Sequence, residues 1–455
     1  MAGGKNYKID MCHGPLFSRI ILFSLPLMAT NILQLMFHAA DLVVVGRYAS
    51  AEAMAAVGAT SSLSVLILNI FFGLAAGVNV LVARYIGAKD NKNLSKTVHT
   101  AMAVAIYLGA AMAIVGLFVS KPILQLMATP ENILDKSVLY MWIYSLGLPF
   151  VVIYNFGSAI LRAAGDTSRP LYYMLIAGII NVLLNLFFVL VCKWDVAGVA
   201  VATKLSNVVS AALIWRALSS SSGHDRLDWH KIKLHWSSLW DMMKIGLPAG
   251  IQGSLFSISN ITIQSSVNSL GWQAVAGNTA AQSLEGMVYV GSSSFYYAVM
   301  SFTGQNHGAK KYDRIIKSIC YCLLSSCAFT ITLGSIVYMF GRQLLHFYNP
   351  DHQVIIWGML RLKILLASYF LCGCMDTING ALRGLGHSLK PMIVTLLGVC
   401  ALRIFWVMVI FPLDRTMNNL MLSYPVTWII TASVNGLILF AVCRKMMHSP
   451  RPAFN

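Results

Sequence analysis

The sequence predicts an all-α integral membrane protein, with twelve transmembrane helices in two pseudo-symmetric six-helix bundles. Three observations carry this prediction. Hydrophobic residues make up 57% of the 455 positions and charged residues 11%, where an ordinary soluble domain is about 25% charged. Apolar runs of about 20 residues, enough to cross a bilayer, recur along the whole chain. The chain is also written twice. Leu161-Arg162-Ala163-Ala164-Gly165 returns as Leu382-Arg383-Gly384-Leu385-Gly386, and Gly87-Ala88-Lys89 as Gly308-Ala309-Lys310, both shifted by 221 residues. Leu25-Pro26 returns as Leu247-Pro248 at a shift of 222.

The spans of the first half are predicted near 18–46, 53–82, 98–119, 135–160, 170–191 and 195–218. Those of the second lie near 240–268, 274–305, 315–340, 353–381, 390–412 and 420–444. The runs are continuous rather than alternating, which argues against a β-barrel. Met1 to Ser18 lacks a short apolar stretch with a small-residue cleavage site, so no cleavable signal is expected. Pro26 and Pro248 fall inside the first helix of each half. Each removes a backbone hydrogen bond and crowds the preceding turn, so both are hinge candidates. Gly73 and Gly77 share a face of the second span, which allows close helix packing.

Ser219-Ser220-Ser221-Ser222-Gly223 opens an exposed linker between the halves. The expected domains are therefore 1–218, a cytoplasmic linker at 219–239, and 240–455. Lys and Arg concentrate on the side that holds both termini and the linker, which makes that side cytoplasmic by the positive-inside rule. The net charge of +17 thus faces anionic lipid rather than nucleic acid. The nine cysteines show neither a disulfide framework nor zinc spacing.

Ionisable groups at membrane depth are costly and mark cavities or ion paths. Three carboxylates fall inside the predicted spans away from their ends: Asp41, Glu285 and Asp376. Lys204 and Arg403 are the basic residues assigned there. His38 precedes Asp41 by three residues and shares its helix face. Burial disfavours a charged carboxyl and a nearby cation favours it, so such a group is suited to exchanging a proton for a cation. Lys204, on the sixth span, is read either as an internal cation facing Asp41 or as a side chain reaching the surface. Asn181, Asn185 and Thr203 add neutral oxygens suited to a hard cation or a proton. At the repeat offset the partners of Glu285 and Asp376 are Ser64 and Asn155, so the acids are placed asymmetrically. Phe37, Tyr154, Phe156 and Tyr289 are candidates for an apolar cavity wall that adapts to flat cations.

Gln34-Leu35-Met36-Phe37-His38-Ala39-Ala40-Asp41, followed by Val45-Gly46-Arg47, resembles the first-helix signature of the MATE (multidrug and toxic compound extrusion) transporters. The two Gly-Ala-Lys motifs, the two Leu-Arg-x-x-Gly motifs and Val196-Ala197-Gly198-Val199-Ala200 strengthen the resemblance, which covers essentially the whole chain. It implies two six-helix lobes that export organic cations or other amphiphiles against H⁺ or Na⁺. The first-helix acid of the family falls on Asp41, and its fifth- and sixth-helix polar cluster on Asn181, Asn185 and Thr203. The chain departs from related members, which often carry Asp at the position of Asn185 and usually Asn at that of His38. A seventh-helix acid is absent, with Gln252 and Ser254 the nearby polar residues.

The expected function is secondary active efflux by alternating access, with H⁺ favoured over Na⁺ because carboxylates are few and Lys204 adds repulsion. The ion-coupling set is Asp41, Asn181, Asn185, Thr203, Lys204 and His38. The substrate-cavity set is Glu285, Asp376, Gln252, Phe37, Tyr154, Asn155 and Tyr289. A lipid-linked saccharide flippase of the related superfamily is the alternative, disfavoured by the scarcity of intramembrane cations. No enzyme activity, cofactor, metal or nucleic-acid partner is expected. The protein is expected to be a monomer in the plasma (inner) membrane, with small cationic or amphiphilic substrates and the bilayer as partners.

Overall fold

The computed structural model describes residues 8–48, 50–127, 129–221 and 223–448. Among them the chain is helical and contains no strand. The first half holds α1 (Leu16–Tyr48), α2 (Ala51–Ala88), α3 (Asn91–Leu126), α4 (Glu131–Leu146), α5 (Leu148–Ala163), α6 (Ser168–Leu186) and α7 (Asp195–Ser219). The second holds α8 (Trp236–Asn268), α9 (Trp272–Gly308), α10 (Tyr312–Met339), α11 (Gly341–Tyr348), α12 (His352–Gly384), α13 (Leu389–Thr395), α14 (Leu402–Phe405) and α15 (Met417–His448).

Nine stretches of the described residues are long and apolar enough to cross a membrane. The pair α4 and α5, bent by 45° at Gly147, makes a tenth. Helices α8 and α9 are as long, at 33 and 37 residues, but carry more polar side chains. Together these are the twelve predicted spans. Helices α1 and α8 run continuously through Pro26 and Pro248.

The repeat is visible in the backbone. Helix α2 ends with Lys89 in the left-handed region at φ 55°, and α9 is followed by Lys310 at φ 56°. Asp90 N–H donates to Tyr85 O at 3.0 Å and Lys311 N–H to Asn306 O at 2.9 Å, the same six-residue closure of a helix end. Gly165 and Gly386 repeat the geometry after α5 and α12, with φ of 90° and 89°. A side chain on Gly165 would also strike the backbone of Ile9.

The chain forms two compact units. Unit 1 comprises residues 1–9 and 25–250; unit 2 comprises 10–24 and 251–455. The changes of unit within α1 and α8 thus fall beside Pro26 and Pro248. In unit 1, Gly73 and Gly77 of α2 lie directly against Gly250 and Gly246 of α8, where added side chains would meet backbone. Most of the described linker residues are exposed, and a few of them tether it to α3 and α7. Leu227 is 1% exposed, its N–H donates to Leu218 O at 3.1 Å, and His99 Nε2 accepts from the Asp228 N–H at 3.0 Å. Trp229, 65% exposed, adds an edge contact to Trp215 with ring centroids 4.9 Å apart.

Candidate functional site

Unit 1 assembles a polar seam from three helices. Asn181 and Asn185 are four residues apart on α6, so both project from one face. The Asn185 side-chain amide donates to Asp41 of α1 and, at 3.3 Å, to Asn181 Oδ1. Asn181 in turn donates to Thr203 Oγ1 of α7 at 3.2 Å, and the Thr203 hydroxyl donates to Val199 O at 2.9 Å. The direction of each bond is thereby set from Asp41 through to α7. Asn181 and Asn185 are buried and Asp41 is half-buried. Asn185 Oδ1 has no hydrogen-bond partner among the described residues. An acceptor oxygen beside a carboxylate is suited to a proton or a small cation.

Lys204 is buried. Its ammonium sits 3.6 Å from the centroid of the Tyr144 ring. The stem passes Gly147, where any side chain would overlap it. Among the described residues Lys204 makes no ion pair; the aromatic face takes that place. The side chain of His38 lies outside the described residues. Phe37 fills the space left by Gly178. Tyr154 is buried with its hydroxyl donating to Pro170 O at 3.2 Å, and Asn155 donates to Val151 O at 2.8 Å.

Unit 2 holds its charges differently. Glu285 of α9 receives two hydrogen bonds from Arg361 of α12, at 2.7 and 2.8 Å, and Arg361 also donates to Asn278 Oδ1 at 2.7 Å. Both charged residues are buried. Arg361 was assigned to neither the intramembrane basic residues nor the site. It stands in Leu360-Arg361-Leu362-Lys363, within the predicted span 353–381. The signal for it was Glu285 itself, since a buried carboxylate needs a partner.

Asp376 lies beside Tyr289, which is partly exposed. Arg383, two turns away, does not form an ion pair with Asp376; its guanidinium donates to Tyr296 and, at 2.7 Å, to Gln252 Oε1. Arg403 of α14 is 1% exposed. Its nearest polar partners are Thr427 and Asn260, at 3.3 and 3.4 Å. Leaving a buried charged donor unpaired costs about 1–3 kcal/mol or more. Among the described residues no group of three His, Cys, Asp or Glu is placed to hold a metal ion.

The MatE family matches residues 26–187 and again 248–409, the two copies at the spacing of the internal repeat. The chain belongs to the MatE family. Its MatE relatives include the probable multidrug resistance protein YoeA of Bacillus subtilis, 27% identical over 83% of both chains. The FAD transporter of Shewanella oneidensis is 26% identical over 90% of this chain and 91% of its own. A MOP superfamily transporter from Pyrococcus furiosus superposes with a TM-score of 0.90 at 21% identity, covering 96% of this chain and 98% of its own. A multidrug resistance MATE family transporter in an outward-facing conformation gives the same score at 20% identity. The resemblance stated from motifs is therefore the family, and the MATE fold of twelve helices is the fold. The MatE relatives are membrane transporters rather than enzymes, and the chain is a multi-pass membrane protein of that family.

Proposed function

We propose that this MatE protein is a secondary active exporter of cationic and other amphiphilic compounds, driven by an inward proton gradient through alternating access. The observation that carries the reading is the polar seam at Asp41. One half-buried carboxylate is held by the Asn185 amide, and the remaining groups of the seam are neutral. A proton neutralises such a group fully. A sodium ion needs several oxygens, with only one carboxylate offered, and it meets the repulsion of the Lys204 ammonium nearby. A ligand drives the cycle only if it binds the two states differently. Protonation at Asp41 does so by changing what Asn185 and, through it, α6 and α7 are bonded to.

The protein acts in the plasma membrane with both termini cytoplasmic, as a monomer, without a cofactor beyond the coupling ion. The relatives named as multidrug resistance proteins support the substrate class. Purified protein in proteoliposomes, loaded with a cationic dye and given an imposed pH or Na⁺ gradient, tests the reading. Dye movement should follow the pH gradient and stop on its collapse. Movement that follows Na⁺ alone would overturn proton coupling, and movement with neither gradient would overturn active export.

A further inference from the structure

Arg403 stands apart from the other buried charges of unit 2. The fork of Arg361 is spent on Glu285 and Asn278. Among the described residues no carboxylate reaches Arg403 within ion-pair distance. Arginine stays charged in proteins, so the guanidinium remains cationic at membrane depth. It lies 4.1 Å from the Tyr424 ring centroid and 5.3 Å from that of Phe256. Its Nη2 is buried and has no hydrogen-bond partner among the described residues.

A second donor is orphaned in the same aromatic cluster. Trp428 is 3% exposed and its Nε1 has no partner. The Trp428 ring packs edge-on against Tyr424 with centroids 5.7 Å apart. Two buried N–H donors without acceptors, one of them cationic, share one ring as neighbour. The missing complement is an acceptor, and a negative one.

The backbone singles out the same place. Arg403 sits on the short α14 between two π-helical stretches, Leu396–Ala401 and Trp406–Ile410. Such turns recur at functional sites. In the first half a π stretch is found at Phe187–Val191, after an unbroken α6. The extra π stretch therefore belongs to the second copy, and it directly precedes Arg403. At the repeat offset the counterpart of Arg403 is Val182, an apolar residue.

We propose that Arg403 and Trp428 form an anion-recognition site within unit 2, which takes the carboxylate or phosphate group of an aromatic, amphiphilic transported molecule. The guanidinium fork matches either oxyanion, and Tyr424, Phe256 and Trp428 surround it with aromatic surface. This deepens the exporter reading and rests on it. Acidic and zwitterionic compounds then join the substrates, and Asp41 serves them as it serves cations.

The test compares two dyes in the same proteoliposomes: carboxyfluorescein, which is anionic, and ethidium, which is cationic. Arg403→Met should cut carboxyfluorescein export by about tenfold or more while leaving ethidium export within about twofold. Arg403→Lys, which keeps the charge and loses the fork, should fall between. Trp428→Phe should show a smaller loss with the same selectivity. In detergent, carboxyfluorescein should raise the thermal midpoint of the wild type and not that of Arg403→Met.

Equal losses for both dyes, or no loss for either, would overturn the proposal. So would ethidium export without any carboxyfluorescein export in the wild type. Protection of the wild type by phosphatidylglycerol, and not by the dye, would assign the donors to a lipid headgroup and overturn it as well. If the wild type exports neither dye, the exporter reading fails, and the thermal shift alone decides whether Arg403 binds an anion.

Discussion

The guanidinium of Arg361 closes on the carboxylate of Glu285 through two near-parallel hydrogen bonds, joining α12 to α9. Removing one partner of such a buried pair leaves an uncompensated charge. Glu285→Ala should therefore destabilise the protein by about 3–5 kcal/mol, read as a lowered thermal midpoint in detergent. The double change Glu285→Leu with Arg361→Met should recover most of that loss, because two apolar side chains need no partner. A double variant less stable than Glu285→Ala would show that the pair does more than neutralise itself.

Asp41→Asn keeps the size of the side chain and its ability to accept from Asn185. It should insert and purify as the wild type does, yet lose proton-driven export of a cationic dye by about a hundredfold or more. Wild-type export by this variant would move the coupling role to another residue, Asp376 first.

Asn185→Asp adds a second carboxylate to the seam, and with Lys204→Ala the adjacent ammonium is removed. Hard cations gain affinity with the number of charged oxygens. The double variant should acquire a dependence on Na⁺ that the parent lacks, measured as dye export under an imposed Na⁺ gradient at constant pH. If the double variant stays indifferent to Na⁺, the seam lacks the geometry for a metal ion.

Gly73 of α2 meets Gly250 of α8 backbone to backbone. Added methyl groups have nowhere to go, because the opposing atoms are main chain. Gly73→Ala should destabilise the protein by about 1–3 kcal/mol and Gly73→Val by more. The thermal midpoint in detergent should fall in that order. Gly58, which has open space around it, is the control.

Asp90 caps α3 outside the membrane. The Asn93 backbone N–H at 3.1 Å and the Asn93 side-chain amide at 2.7 Å hold its carboxyl below the ordinary value. A depressed value means that the stabilisation is complete above the unfolded value of about 3.9 and disappears as the pH falls through the folded one. Asp90→Asn keeps a capping oxygen and should make the thermal midpoint less sensitive to pH between about 5 and 3. An unchanged acid profile would show that other carboxylates dominate it.

Features that repeat or recur at fixed spacing were legible in the sequence. The left-handed caps at Lys89 and Lys310 follow from the repeated Gly-Ala-Lys, and the glycine turns at Gly165 and Gly386 from the repeated Leu-Arg-x-x-Gly. Asn181 and Asn185 stand one helical turn apart, so their common face was readable, and the family resemblance supplied Asp41 as their partner. Contacts between distant helices carry no such spacing. Nothing local announces that Lys204 will rest on Tyr144, or that Arg361 belongs with Glu285. The tethering of the linker was hidden for a related reason. Its serines and charges dominate the composition, while the few residues that anchor it, Leu227 and Trp229, look unremarkable one at a time.

The short stretch before α1 bears on how the protein is made. Arg314 donates to the carbonyls of Met11, His13 and Gly14 at 3.1, 2.8 and 3.0 Å, and Lys311 to that of Cys12 at 3.0 Å. Four successive peptide groups thus depend on side chains that the ribosome adds about 300 residues later. Until Lys311 and Arg314 have been translated, these carbonyls lack those donors. The docking of the stretch is therefore a late event of biogenesis, and a nascent chain halted before Lys311 should leave Met11 to Gly14 open to a protease that the finished protein resists.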